Sequence, residues 1–114
     1  MGVSSLARYV FDIDGTLCSN TNGEYLSAKP FTQRVSKVNA LYDAGHYIVL
    51  FTARGMSSSG GNKLVARIRW FRTTQAQLLD WGVKYHELKL GKPAGDYYVD
   101  DKGISDVDFF ESDN

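Results

Sequence analysis

A chain of 114 residues fits one domain, and at that length roughly two-thirds of the unfolded surface is buried on folding, so no covalent or metal staple is required. Lys+Arg and Asp+Glu both total 13, a net charge of zero, which gives no bulk electrostatic reason to expect nucleic acid or an anionic membrane as a partner and leaves only local patches. The single cysteine, Cys18, excludes an internal disulfide, and no apolar run approaches the ~20 residues of a membrane span.

The opening Met1-Gly2-Val3-Ser4-Ser5-Leu6 lacks the basic-then-apolar layout of a secretory signal, and Leu6 stands where a myristoylation signal wants Ser or Thr. The expectation is a cytoplasmic protein. Residues 7–11 are apolar and β-prone and run straight into Asp12, predicting a buried strand with functional residues at its carboxyl end. Residues 15–30 are rich in Ser, Asn, Thr and Gly and predict a loop with a small hairpin at Asn22-Gly23. From Phe31, apolar residues recur at Val35, Val38, Leu41 and Tyr42, the spacing of a helix that Gly45 stops. Residues 47–51 read as a second buried strand ending in the polar Thr52 and Arg54, with a loop at 55–62. Residues 63–80 predict a second helix with Val65, Ile68, Phe71, Leu78 and Leu79 on its apolar side, ended by Trp81-Gly82. Strands are expected at 83–88 and 97–99, the latter feeding Asp100-Asp101, and an edge strand at 107–110. No internal repeat or linker interrupts the chain.

Strand and helix alternate, which predicts an α/β sandwich with a mainly parallel sheet. Such sheets bind ligands beyond the carboxyl ends of their strands. Asp12/Asp14, Thr52/Arg54 and Asp100/Asp101 all fall at such ends. A transferred phosphoryl group needs an attacking atom, a cation, orienting donors and a proton for the leaving group. Asp12 can attack phosphorus to form an aspartyl-phosphate. Asp14 can protonate the departing alcohol and later activate water. Clustered carboxylates, with Asp100 and Asp101, suit Mg²⁺. Thr52 offers a hydroxyl, Ala53 and Arg54 follow with backbone N–H groups, and Lys92 brings positive charge. Arg54 has two readings, a substrate contact or a partner for a carboxylate.

Asp12-Ile13-Asp14-Gly15-Thr16-Leu17 resembles the first motif of the haloacid dehalogenase (HAD) superfamily. Phe51-Thr52-Ala53-Arg54-Gly55 resembles the second motif, Gly91-Lys92-Pro93 the third and Tyr98-Val99-Asp100-Asp101 the fourth, in order, from residue 7 to about 102. The resemblance implies a Rossmann-like three-layer sandwich, Mg²⁺ as cofactor, Asp12 as nucleophile, and Asp14 as acid and base, its backbone carbonyl on the metal. It implies Thr52 and Lys92 holding the phosphate, with Lys89 a rival to Lys92; Ala53 and Arg54 are further candidates for the phosphate site. It implies Asp101 as the direct metal ligand and Asp100 behind it, an order that can be reversed, and Asp106 beside a metal-bound water. Residues 15–30 leave no room for a cap domain, so the resemblance is to a capless phosphatase. An open site suits a large substrate or is closed by a second copy in a homo-oligomer. The stretch Gly91-Lys92-Pro93-Ala94-Gly95-Asp96-Tyr97-Tyr98 is similar to small phosphatases of bacterial surface-polysaccharide synthesis, which implies a sugar phosphate as the small phosphorylated substrate.

One departure stands out. Eight residues separate Leu88 from Tyr97, whereas a parallel crossover usually takes a dozen or more. Two other classes remain open: a phosphatase for nucleic-acid ends or phosphoproteins, the former disfavoured by the neutral charge, and a non-catalytic module that kept the fold. Residues 55–62 lack the Lys-Ser/Thr of a P-loop, Cys18 has no arginine six residues on, and His46 and His86 have no partner at metal-binding spacing.

Overall fold

The computed structural model of the chain describes residues 6–54, 63–91, 95, 97–99 and 104–111. In chain order these hold β1 (Arg8–Asp12), a 3-10 turn (Tyr25–Ser27), α1 (Thr32–Asp43), β2 (Tyr47–Thr52), α2 (Lys63–Asp80), β3 (Glu87–Leu90), β4 (Tyr97–Val99) and α3 (Asp106–Phe110). The strands make one four-stranded parallel sheet in the order β3-β2-β1-β4. The result is a small α/β protein compatible with a Rossmann-like fold.

Register explains how the sheet finds its core. Phe11 lies opposite Leu50 on one side and Val99 on the other, and Leu50 lies opposite Leu88. Side chains alternate between faces along a strand, so these residues share one face. They pack in a single cluster with Val35 and Val38 of α1 and Leu78 of α2, and Phe109 and Phe110 of α3 lie against it. Phe11 meets the Phe109 ring nearly edge-on at 5.6 Å. Burying a side chain such as Phe11 or Leu50 contributes about 1.5–3 kcal/mol each. Val10 and Val49, on the opposite face, are also fully buried. The backbone at Gly95 lies so close to Val10 that any side chain at 95 would collide with it. Among the described residues the helices join the core on the Phe11 face, so the described part amounts to a sheet and one helical layer.

Both long helices stop by the same device. In α2, Val83 N–H donates to the Leu78 carbonyl and Gly82 N–H to that of Leu79, with Gly82 at φ +73°. In α1, His46 and Gly45 donate to Leu41 and Tyr42 in the same way, with Gly45 at φ +99°. This paired pattern around a left-handed glycine is the Schellman closure.

The expectations for four elements are corrected. The third strand covers Glu87–Leu90, not residues 83–88, because Val83 is spent closing α2 and packs in the core. Residues 107–110 are not an edge strand but lie in α3. Ser105 caps it by accepting from Asp108 N–H, and Asp106 and Asp108 in its first turn favour the positive helix end. On α2, Leu78 is buried, but Ile68 and Leu79 are 70% and 82% exposed. The inward face runs instead through Phe71, Thr74 and Leu78. The hairpin at Asn22-Gly23 is a turn closed further out, by an antiparallel bridge between Cys18 and Pro30. The short link after residue 90 does not join neighbours in the sheet, since β2 and β1 lie between β3 and β4.

Candidate functional site

β1 ends at Asp12, and the chain then wraps tightly on itself. The Ile13 carbonyl accepts from Thr16, Leu17 and Cys18 N–H, and Gly15 N–H donates to the Cys18 carbonyl at 2.8 Å. Gly15 sits at φ +85°, which a side chain resists. Asp12 Oδ1 accepts from Ile13 N–H at 2.9 Å. This knot carries Asp12 and Asp14 to the carboxyl edge of the sheet, where Asp12, Asp14, Gly15, Thr16, Asn20 and Asp106 line a polar cavity of about 310 Å³.

Asp14 is held from behind by β2. Arg54 Nε donates to Asp14 Oδ2 at 3.0 Å and Arg54 Nη2 to Oδ1 at 2.9 Å, a two-point fork. The Thr52 hydroxyl donates to Asp14 Oδ2 at 3.3 Å and accepts from Arg54 N–H at 3.1 Å. The Arg54 side chain is fully buried. Its Nη1 donates to Thr74 Oγ1 at 3.2 Å and to Gln77 Oε1, both on α2, and its plane lies 5.0 Å from the Tyr25 ring. Gln77 Nε2 in turn donates to the Tyr25 carbonyl at 2.7 Å. A buried guanidinium requires such partners for every donor.

Asp106 reaches the cavity through α1. Arg34 Nη1 donates to Asp106 Oδ2 at 2.7 Å and to the Thr16 carbonyl at 2.9 Å. The same guanidinium lies about equally far from the Phe31 and Phe110 rings, at 5.2 and 5.1 Å. Beyond Arg34 opens a wider hollow of about 480 Å³ edged by Phe31 and Phe110. It carries no pair of aspartates; Asp12, Asp14 and Asp106 line the smaller cavity.

Cys18 lies beside Asp14. Its Sγ approaches the Ile13 carbonyl at 3.6 Å and Asp14 Oδ1 at 3.7 Å. Burial, and then the negative charge of Asp14, push the Cys18 thiol up to about 12. It is a neutral packing group beside the cavity. His46 and His86 accept backbone N–H bonds from Ala7 and Ile48 at their Nδ1 atoms, structural duties on the far side of the sheet ends.

The site expectations therefore divide. Asp12, Asp14 and Asp106 come together around one cavity. Thr52 and Arg54 come to the same place, but the Thr52 hydroxyl and the Arg54 fork face Asp14 from the buried side and neither lines the cavity. Arg54 thus takes the second of its two readings, partner to a carboxylate. Ala53 follows β2 directly as an exposed residue. Lys89 is bonded to Glu87 at 3.1 Å. Lys92, Asp100 and Asp101 lie outside the described residues, as does the loop 55–62. Among the described residues no group of three or more His, Cys, Asp or Glu is disposed to hold a metal ion. The donors that do line the cavity are hard oxygens, which suit Mg²⁺ in kind.

Sequence reasoning missed Arg34, Asn20, Thr74 and Gln77. Nothing in the sequence marks the first two. Thr74 and Gln77 left a trace: a polar residue between Phe71 and Leu78 on the inward stripe must find a buried partner.

Compared with known proteins, the chain matches no family model and no curated protein. It is similar in structure to a crystallised structural-genomics target from Vibrio cholerae, at 25% identity and a TM-score of 0.79, over 95% of this chain and 90% of that one. Together with the sheet order, this likeness defines the class: a small α/β protein with a parallel sheet and a polar cavity at its carboxyl edge. No helix among the described residues is long and apolar enough to cross a membrane.

Proposed function

We propose that the chain is a Mg²⁺-dependent phosphomonoesterase of the HAD superfamily, a capless, cytoplasmic member built as that fold's minimal three-layer core. The observation that carries the reading is the shared wall: Asp12, at the end of β1, and Asp14, two residues on, border one cavity that also takes in Asp106.

In this reading a carboxylate oxygen of Asp12 attacks phosphorus as the bond to the leaving oxygen breaks. The electron pair stays with that oxygen, and Asp14 gives it a proton. Asp14, now a carboxylate, takes a proton from water whose oxygen attacks the aspartyl-phosphate. The bond to Asp12 breaks, its electron pair returns to Asp12, and inorganic phosphate leaves. Asp12, the Asp14 carbonyl and the Asp100-Asp101 pair would hold Mg²⁺, which would supply positive charge to offset repulsion between carboxylate and phosphate. Lys92 adds a second cation to the phosphate, and the N–H of Ala53, directly after Thr52, orients it. The resemblance of residues 91–98 supports a small sugar phosphate as substrate.

A panel of phosphate esters with Mg²⁺, and with EDTA as control, tests this. Hydrolysis by the wild type that EDTA stops is expected. Asp12→Asn is expected to lose at least ~10³-fold in kcat with an unchanged melting temperature, since the first chemical bond can no longer form. Undiminished turnover by Asp12→Asn would remove the mechanism.

A further inference from the structure

We infer that Arg54 is a positioning residue for Asp14, and that its anchorage to α2 and Tyr25 fixes where the proton of the reaction is delivered. The inference rests on the phosphatase reading and goes beyond it, because it takes Arg54 away from the phosphate.

The geometry leaves Arg54 no reach toward substrate. Its side chain is fully buried, and all of its nitrogen groups are engaged: Nε and Nη2 on Asp14, Nη1 on Thr74 and Gln77. The Asp14 carboxylate, by contrast, is 19% exposed and borders the cavity. Arg54 thus grips the back of a group whose front is open. A two-point fork fixes the plane of a carboxylate as well as its distance, which a single bond or a lysine does not. The far end is fixed too. Gln77 spans from Arg54 to the Tyr25 carbonyl, and the Tyr25 ring covers the guanidinium. Four separate segments therefore set one carboxylate: the loop after β1, the end of β2, α2 and the 3-10 turn. A merely structural ion pair has no need to aim its acid at a cavity.

Proton delivery matters most where the leaving oxygen is a poor one. An alkoxide needs the proton as it departs, whereas 4-nitrophenolate leaves without it. Loss of positioning should therefore strike glycerol 2-phosphate far harder than 4-nitrophenyl phosphate, and strike kcat rather than KM. A phosphate-binding arginine would raise KM for both esters alike.

The test compares those two esters for wild type, Arg54→Met and Gln77→Met, each checked for folding by thermal melting. Expected is a fall in kcat on glycerol 2-phosphate on the order of 10²-fold for Arg54→Met, in the range of general-acid contributions, with the aryl ester far less affected. Gln77→Met should show the same split at roughly tenfold, since one anchor of the fork is lost. A Gln77→Met protein whose two rates fall equally, or do not fall, overturns the inference whether or not Arg54→Met folds. A folded Arg54→Met with equal losses on both esters, or with a rise in KM alone, overturns it as well. A wild type inactive on both esters with Mg²⁺ removes the phosphatase reading itself, and the inference with it.

Discussion

Two residues four apart, Asp14 and Cys18, show how burial and charge divide labour in a small site. Asp14 keeps a cationic fork behind it and an open face ahead. Cys18 is fully buried with its sulfur against that carboxylate, and the same surroundings push its thiol up to about 12. Only the thiolate reacts with alkylating reagents. The native protein is therefore expected to resist iodoacetamide at pH 8, and the denatured protein to react fully, as mass spectrometry of the adduct would read. The sign of the linkage follows. The folded state favours the neutral thiol, so this contribution is whole below the unfolded value near 9 and declines as pH rises from there toward about 12. Rapid modification of folded protein at pH 8 would contradict the burial of Cys18 beside Asp14.

The helices and strands were more legible in the sequence than their faces. Period and glycine stops gave α1, α2, β1, β2 and β4 their places because those signals are local. The inward face of α2 was not local. It is set by Arg54, whose donors draw Thr74 and Gln77 inward and rotate Leu79 out to solvent. Leu78→Ala is therefore expected to cost about 2–5 kcal/mol, the range for a buried leucine, and Leu79→Ala to stay within about 0.5 kcal/mol. Urea unfolding of both variants checks this, and equal costs would put the helix in the wrong rotation. α3 carried a readable signal that the alternation of residues 107–110 hid: Ser105-Asp106-Val107-Asp108 has the spacing of a capping box. For the candidate site, Asp12 and Asp14 were plain from the strand that runs into them. The positions of Arg34 and Asn20 depend on contacts between distant segments, and no spacing could reveal them.

At the scale of the whole molecule, local clusters of charge contribute to the response to pH. One spans the strands at their amino ends. Glu87 on β3 accepts from the Tyr47 hydroxyl on β2 at 2.6 Å, pairs with Lys89, and lies 3.5 Å from Arg8 on β1. The Tyr47 bond first, and then the Lys89 bond, hold the Glu87 carboxyl below its ordinary value. A lowered acid lends stability above its unfolded value of 4.5, and that stability disappears as pH falls through the folded value. Replacing Glu87 by Gln should therefore flatten the fall in melting temperature below about pH 5 and leave its slope near neutrality unchanged; an acid limb as steep as the wild type's would assign it to other carboxylates.

The strand order carries a consequence for biogenesis. β1 leaves the ribosome before its neighbours and can zip to β2 as soon as β2 has emerged, but its other flank waits for β4, which follows α2 and β3. Throughout that interval the nascent polypeptide displays a ready template of bare amides and carbonyls to any passing extended segment. The segment that ends this exposure also brings Asp106 to the cavity.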